Sequence, residues 1–119
     1  MNISDLLKDP NKVKEVLTMA IDNKNKELAE MLIPIVKHPY LTYLYAEEIV
    51  KDKIKDEWED IIAQDPDSIY AYAYTVLHKP FIKGEDAIIN SEWLEPYVEF
   101  LKSINKLDEF LKDHPEVKI

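Results

Sequence analysis

Asp65-Pro66-Asp67-Ser68-Ile69-Tyr70-Ala71-Tyr72-Ala73-Tyr74-Thr75-Val76-Leu77 is the stretch on which the fold turns. From Ile69 to Leu77 it carries no charge. Asp65 suits a helix N-cap, because its carboxylate can accept from the free amides of the first turn. Pro66 suits the first helical position, where a missing N–H costs nothing. A helix without a charged face is normally buried. The stretch therefore predicts a central apolar helix over about 66–78, with other helices packed around it.

Working outward, the pattern recurs. Pro39 and Pro66 lie 27 residues apart, and that shift sets Tyr43 on Tyr70, Tyr45 on Tyr72, Ala46 on Ala73 and Ile54 on Phe81. It also sets Ile61 and Ile62 on Ile88 and Ile89, with Glu85 where Trp58 stood. One more shift brings Tyr97 onto Tyr70, with Trp93 in the proline position, and Asp9-Pro10 resembles Asp65-Pro66 upstream. Self-similarity at such a period is the mark of helical repeats. The units expected are about 10–36, 37–63, 64–90 and 91–113, within a single domain spanning 1–119.

Each unit reads as a helix pair. Apolar residues at helical spacing mark the long helices: Tyr45, Ala46, Ile49 and Val50, then Tyr72, Ala73, Val76 and Leu77. Ile54, Trp58, Ile61 and Ile62 mark a shorter helix, and Gly84 is expected to permit a tight turn into its copy. In the first unit, Val13, Val16, Leu17, Ala20 and Ile21 mark one helix, and Leu28, Met31, Leu32 and Ile35 its partner. Ser91 or Glu95 should cap a helix through Tyr97, Phe100, Leu101 and Ile104. A last one carries Leu107, Phe110 and Leu111 and closes at His114-Pro115, with the final four residues loose. No sustained alternation or Asn-Gly hairpin suggests strands. The expectation is an all-α, compact array of seven or eight short helices.

The repeat resembles a tandem motif of many phage-encoded proteins, running Asp-Pro, Ala-Tyr-x-Tyr-Ala, Val-Leu, an aromatic, Gly-Glu and Ile. Asp65-Pro66, Tyr70, Tyr72-Ala73, Val76-Leu77, Phe81, Gly84-Glu85 and Ile88 carry the resemblance, over about residues 35–104. His38 replaces the leading aspartate in the preceding unit, which also lacks Gly-Glu. The resemblance implies a helical array of phage origin and no particular activity.

Composition narrows the function. The 119 residues carry a net charge of −9 and no cysteine, so disulfides and thiolate metal sites are excluded. All 15 basic residues are lysine. Arginine is the preferred side chain for bidentate phosphate and base contacts, so direct nucleic-acid binding is not expected. Met1 to Asp5 has neither a basic nor an apolar run, so no signal peptide is read. No apolar stretch is long enough to span a bilayer. The default is a cytoplasmic protein, in a host cytoplasm if phage-encoded.

No catalytic or metal-binding constellation emerges, and no cofactor is expected. His38, His78 and His114 lack a second ligand at helical spacing. The acid clusters, Glu47-Glu48, Asp56-Glu57 with Glu59-Asp60, Glu85-Asp86 and Asp108-Glu109, read as solvated faces paired with lysines. Tyr43, Tyr45, Tyr70, Tyr72 and Tyr97 fall on the repeated core face, with hydroxyls expected at its rim. Off that face lie Tyr40 and Tyr74, and the recurring Leu44, Ala71 and Val98. This second stripe means either that the long helices are sandwiched or that a partner docks there; a charge-free helix favours sandwiching. The function expected is protein–protein interaction with a host or phage protein, in concrete form an inhibitor of a host defence or host enzyme, through Tyr40, Leu44, Ala71, Tyr74 and Val98. The alternative is an acidic nucleic-acid mimic filling a basic cleft. A homodimer could also cover the stripe.

Overall fold

Three helices begin on one device. The Asp9 carboxylate accepts from the amides of Asn11 and Lys12 at 3.2 and 3.3 Å, ahead of Pro10. His38 Nδ1 accepts from the Leu41 amide at 3.3 Å, ahead of Pro39. The Asp65 carboxylate accepts from the Ser68 amide at 3.2 Å and the Ser68 hydroxyl at 2.6 Å, ahead of Pro66. In each case a side-chain acceptor answers a first-turn N–H that has no helical partner, and proline removes another such N–H.

A computed structural model describes residues 8–118. Met1 to Asp5, read above for a signal peptide, lies outside them, as does Ile119. The described residues form eight α-helices and no strand. The first unit holds α1 (Pro10–Asp22) and α2 (Lys26–Val36). Next come α3 (Pro39–Tyr45), running on into a π-helical turn Ala46–Val50, and α4 (Asp56–Ile62). The third pair is α5 (Pro66–Ala71) with its π turn Tyr72–Leu77, then a 3₁₀ turn Ile82–Gly84 leading into α6 (Glu85–Ile89). Helices α7 (Leu94–Ser103) and α8 (Leu107–Asp113) complete the chain.

Helix ends repeat as well. Lys51 and His78, 27 residues apart, close the two π turns in the left-handed conformation, φ 58° and 55°. Their amides reach five residues back, to Ala46 O at 2.6 Å and Ala73 O at 2.8 Å. Helices α1 and α7 instead end in Schellman motifs, with Lys24 and Asn105 left-handed and the next amide bonded to the carbonyl five residues before it.

The units stack into a rod. The extents are 52 × 24 × 20 Å, and the Cα radius of gyration is 15.9 Å, against about 13 Å for a globule of roughly this length. One apolar cluster runs its whole length, from Val13 to Phe110. The α5 helix sits in its middle, with Ile69, Tyr72 and Ala73 fully buried.

A buried bond repeats between units. The Tyr72 hydroxyl donates to Glu59 Oε2 at 2.6 Å and accepts from the Ile54 amide at 3.1 Å. The Tyr97 hydroxyl donates to Glu85 Oε2 at 2.6 Å and accepts from the Phe81 amide at 3.1 Å. Each phenol thus ties a buried carboxylate and a loop amide of the preceding unit to its own long helix. A bond to a charged group of this kind contributes about 1.5–3 kcal/mol. Glu59 and Glu85 are only 3% and 2% exposed. The reading of both as solvated acids is therefore corrected, and so is the placing of the Tyr72 and Tyr97 hydroxyls at the rim.

Other expectations shift by a residue. Glu85 corresponds to Glu59, not to Trp58, because the turn before α6 is one residue shorter; Ile88 then answers Ile62, and Gly84 answers Trp58. Gly84 has an ordinary φ of −95°. It is small because a Cβ there would stand 2.7 Å from Ile69 Cγ1 and Cγ2. In α2 the buried face is Ala29, Leu32 and Ile33, leaving Met31 and Ile35 exposed. Ser91 caps a turn before α7, its hydroxyl accepting from the Trp93 amide at 3.1 Å. In the tail, Val117 packs on the core and its amide bonds His114 O at 3.0 Å.

Candidate functional site

The long helices present an aromatic strip. Tyr40 packs on Tyr43 with ring centroids 5.8 Å apart. The Tyr43 hydroxyl lies 3.0 Å from Thr75 Oγ1, which joins α3 to the π turn after α5. Tyr70 sits between Tyr74 (5.8 Å) and Trp93 (5.7 Å, stacked at 24°). Tyr74 leans on Phe100 of α7 at 5.5 Å. Two ring clusters, Tyr40 with Tyr43 and Tyr70 with Tyr74, Trp93 and Phe100, are thus joined through the Tyr43–Thr75 hydroxyl contact.

Of the five residues singled out in the sequence, Tyr40 and Tyr74 belong to these clusters, while Leu44 and Ala71 pack against the core and Val98 lies in it. Tyr74 and Tyr40 are open, at 51% and 46% exposure. Leu44 and Ala71 are half-buried, and Val98 is buried. Thr75 is exposed beside Tyr74, so the uncharged stretch 69–77 reaches solvent instead of being sandwiched on all sides, with the exposed Asp67 just before it. Val98 lines an open depression of about 470 Å³ of mixed charge, with Leu94, Glu92, Glu95, Glu99, Lys102 and Lys118 around it. The sequence reading puts Tyr70 on the core face and does not foresee Trp93 as its stacking partner or Phe100 as the neighbour of Tyr74. The stacking partners come from the next unit, at separations that no helical period reports.

Electrostatics at the strip are mild. Burial, aided by the Glu47 carboxylate nearby, pushes the Tyr43 phenol up to about 12. Burial and the Glu30 carboxylate do the same for Tyr45 in the core beneath. Burial, with the carboxylates they bond, pushes Tyr72 and Tyr97 well above the usual phenol range. Tyr72 and Tyr97 hold their protons as donors to the carboxylates, and all four phenols are poor candidates for proton transfer.

The histidines take local duties. His38 caps α3, and burial, with Lys14 nearby, lowers its pKa. His78 is the left-handed residue after α5. His114 meets the buried Glu85, its Nε2 lying 3.3 Å from Oε1. Among the described residues, no group of three His, Asp or Glu side chains is arranged to hold a metal ion, and no helix is long and apolar enough to cross a membrane. No protein-family model, curated protein or solved structure matches the chain.

Proposed function

We propose that this chain is a protein-interaction protein that docks a partner on the aromatic strip crossing α3, α5 and α7. One observation carries the reading. Tyr74 stands half in solvent on an uncharged helical face, at the position where the preceding unit places Glu47. A solvated helix has no need of a tyrosine there, whereas tyrosine is enriched at the energetic centres of protein interfaces. A phage-encoded inhibitor of a host defence or host enzyme is the concrete form we favour, acting in the host cytoplasm. Its mechanism would be occlusion by surface complementarity, with no group assigned to catalysis. The mimic reading is weaker, because Lys53 and Lys83 cross-brace Asp56, Glu59 and Asp60 and break any phosphate-like array of charge.

The test is an affinity capture from bacterial lysate with the wild-type chain and with Tyr74→Glu and Ala71→Glu variants. A partner held by the wild type at high salt and lost by helical, folded variants supports the strip. Unchanged capture by both variants removes it.

A further inference from the structure

Resting on that docking reading, the charge around the strip says what kind of partner fits it. The long helices with their π turns, residues 39–50, 66–77 and 94–103, carry Glu47, Glu48, Asp67, Glu95 and Glu99 against a single lysine, Lys102. All six are wholly or partly open to solvent. Lysine is concentrated elsewhere. Lys53 bonds Asp56 and Glu59 at 3.1 Å each, and Lys83 bonds Asp60 at 3.1 Å. Around the strip, Lys24 neutralises Glu48 and Lys102 neutralises Glu99, and Lys118 lines the depression that holds Glu92 and Glu95. Glu47, Asp67, Glu92 and Glu95 make no ion pair among the described residues.

The surface therefore joins two features: the exposed rings of Tyr40 and Tyr74, the latter packed on Tyr70 with Trp93 stacked beyond it, and carboxylates without an ion pair on or next to the same helices. One natural side chain answers both. A guanidinium is planar and weakly hydrated, stacks on aromatic faces and forks onto carboxylates. An ammonium is a compact, strongly hydrated charge and gains less from an aromatic floor. We propose that the strip is a docking surface for arginine side chains of a basic protein partner, with their methylene stems lying along Leu44 and Ala71. A second copy of this chain does not qualify as the occupant. It has no arginine to offer, and it would set one acidic face against another.

The test uses the full chain and two capped hexapeptides, hexa-arginine and hexa-lysine, titrated at 150 mM salt by calorimetry and by backbone amide NMR. The expected result is at least tenfold tighter binding of hexa-arginine, with shifts centred on Tyr40, Tyr70, Tyr74 and Trp93. Tyr74→Leu, shown folded by circular dichroism, should bring the two affinities to within about twofold while leaving hexa-lysine binding unchanged. Equal affinities for the wild type, no binding, or shifts remote from the strip would overturn the proposal and leave only general attraction to an acidic chain. A lysate partner captured through Tyr74 without an arginine preference would leave the docking reading standing and this inference fallen. Loss of both results would remove both.

Discussion

The units over 37–63 and 64–90 are the same device built with different volumes and charges. Both place a proline at the helix start, a π turn, and a left-handed residue 12 positions after that proline, Lys51 and His78. Both bury a glutamate under the next unit's tyrosine. They part where side chains need not match. The earlier unit has Thr42 and Trp58 where the later has Ile69 and Gly84, so a small-large pair becomes a large-small one. Glu59 is answered by Lys53 at 3.1 Å, and Glu85 by His114 at 3.3 Å, across from the last helix. The outward positions Glu47 and Glu48 become Tyr74 and Thr75. Backbone and buried polar bonds hold the repeat together, while volume can be traded within it. The solvent face is free to change, and that is where the two units differ in kind.

Alkali attacks what the units share and should have the largest effect. An unfolded tyrosine ionises near 10, while Tyr43 and Tyr45 are pushed up to about 12 in the fold. Between those values the unfolded chain loses protons that the folded chain keeps, so stability falls as pH rises through that window. Ionisation of Tyr72 and Tyr97 beside carboxylates then follows. Denaturant melts stepped from pH 9 to 12 should show a falling midpoint; a flat profile would mean that the hydroxyls are not held as described.

Next come the junctions singly. Tyr72→Phe and Tyr97→Phe each strand a buried carboxylate and a loop amide, and each should cost about 3 kcal/mol. Tyr97→Phe should be the worse of the two, since Glu59 retains lysine whereas Glu85 retains only His114. Urea unfolding of the pair checks the order.

Gly84→Ala should cost about 2 kcal/mol through overpacking against Ile69. Adding Ile69→Thr should recover part of the loss. It restores the small partner that the other unit has in Thr42, whose hydroxyl donates to His38 O at 2.8 Å. Strictly additive costs would show that the volume trade is not real. Smallest of all, Lys51→Gly and His78→Gly should each raise stability by about 1 kcal/mol, because a Cβ is strained at positive φ. Thermal melts resolve that gain, and its absence in one unit would break the equivalence of the two turns.

Much of the architecture was legible in the sequence. Asp9-Pro10, His38-Pro39 and Asp65-Pro66 announce helix starts chemically, and the spacing of Tyr72, Ala73 and Val76 gives the buried face of α5. The hidden parts depend on contacts between units. Nothing within helical reach of Glu59 or Glu85 foretells burial, since the hydroxyls that satisfy them lie 13 and 12 residues downstream. The face of α2 was misread because Met31 and Ile35 are as apolar as Leu32 and Ile33, and hydropathy alone does not choose between adjacent stripes. Of the five residues read off the core face, Tyr40 and Tyr74 are exposed, while Leu44, Ala71 and the buried Val98 pack into the core, as sandwiching of the long helices requires. The stacking of Trp93 on Tyr70 and the packing of Phe100 on Tyr74 arise only once the next unit docks on this one.

The buried tyrosine bonds have a consequence for how the rod assembles. Each closes a loop of only 12 to 18 residues, counted to the carboxylate or to the amide it holds. Closing so short a loop is entropically cheap, and chains dominated by such near-neighbour contacts fold in microseconds to milliseconds. Order can start at any one junction and spread to the next, with no need for the two ends of the chain to meet.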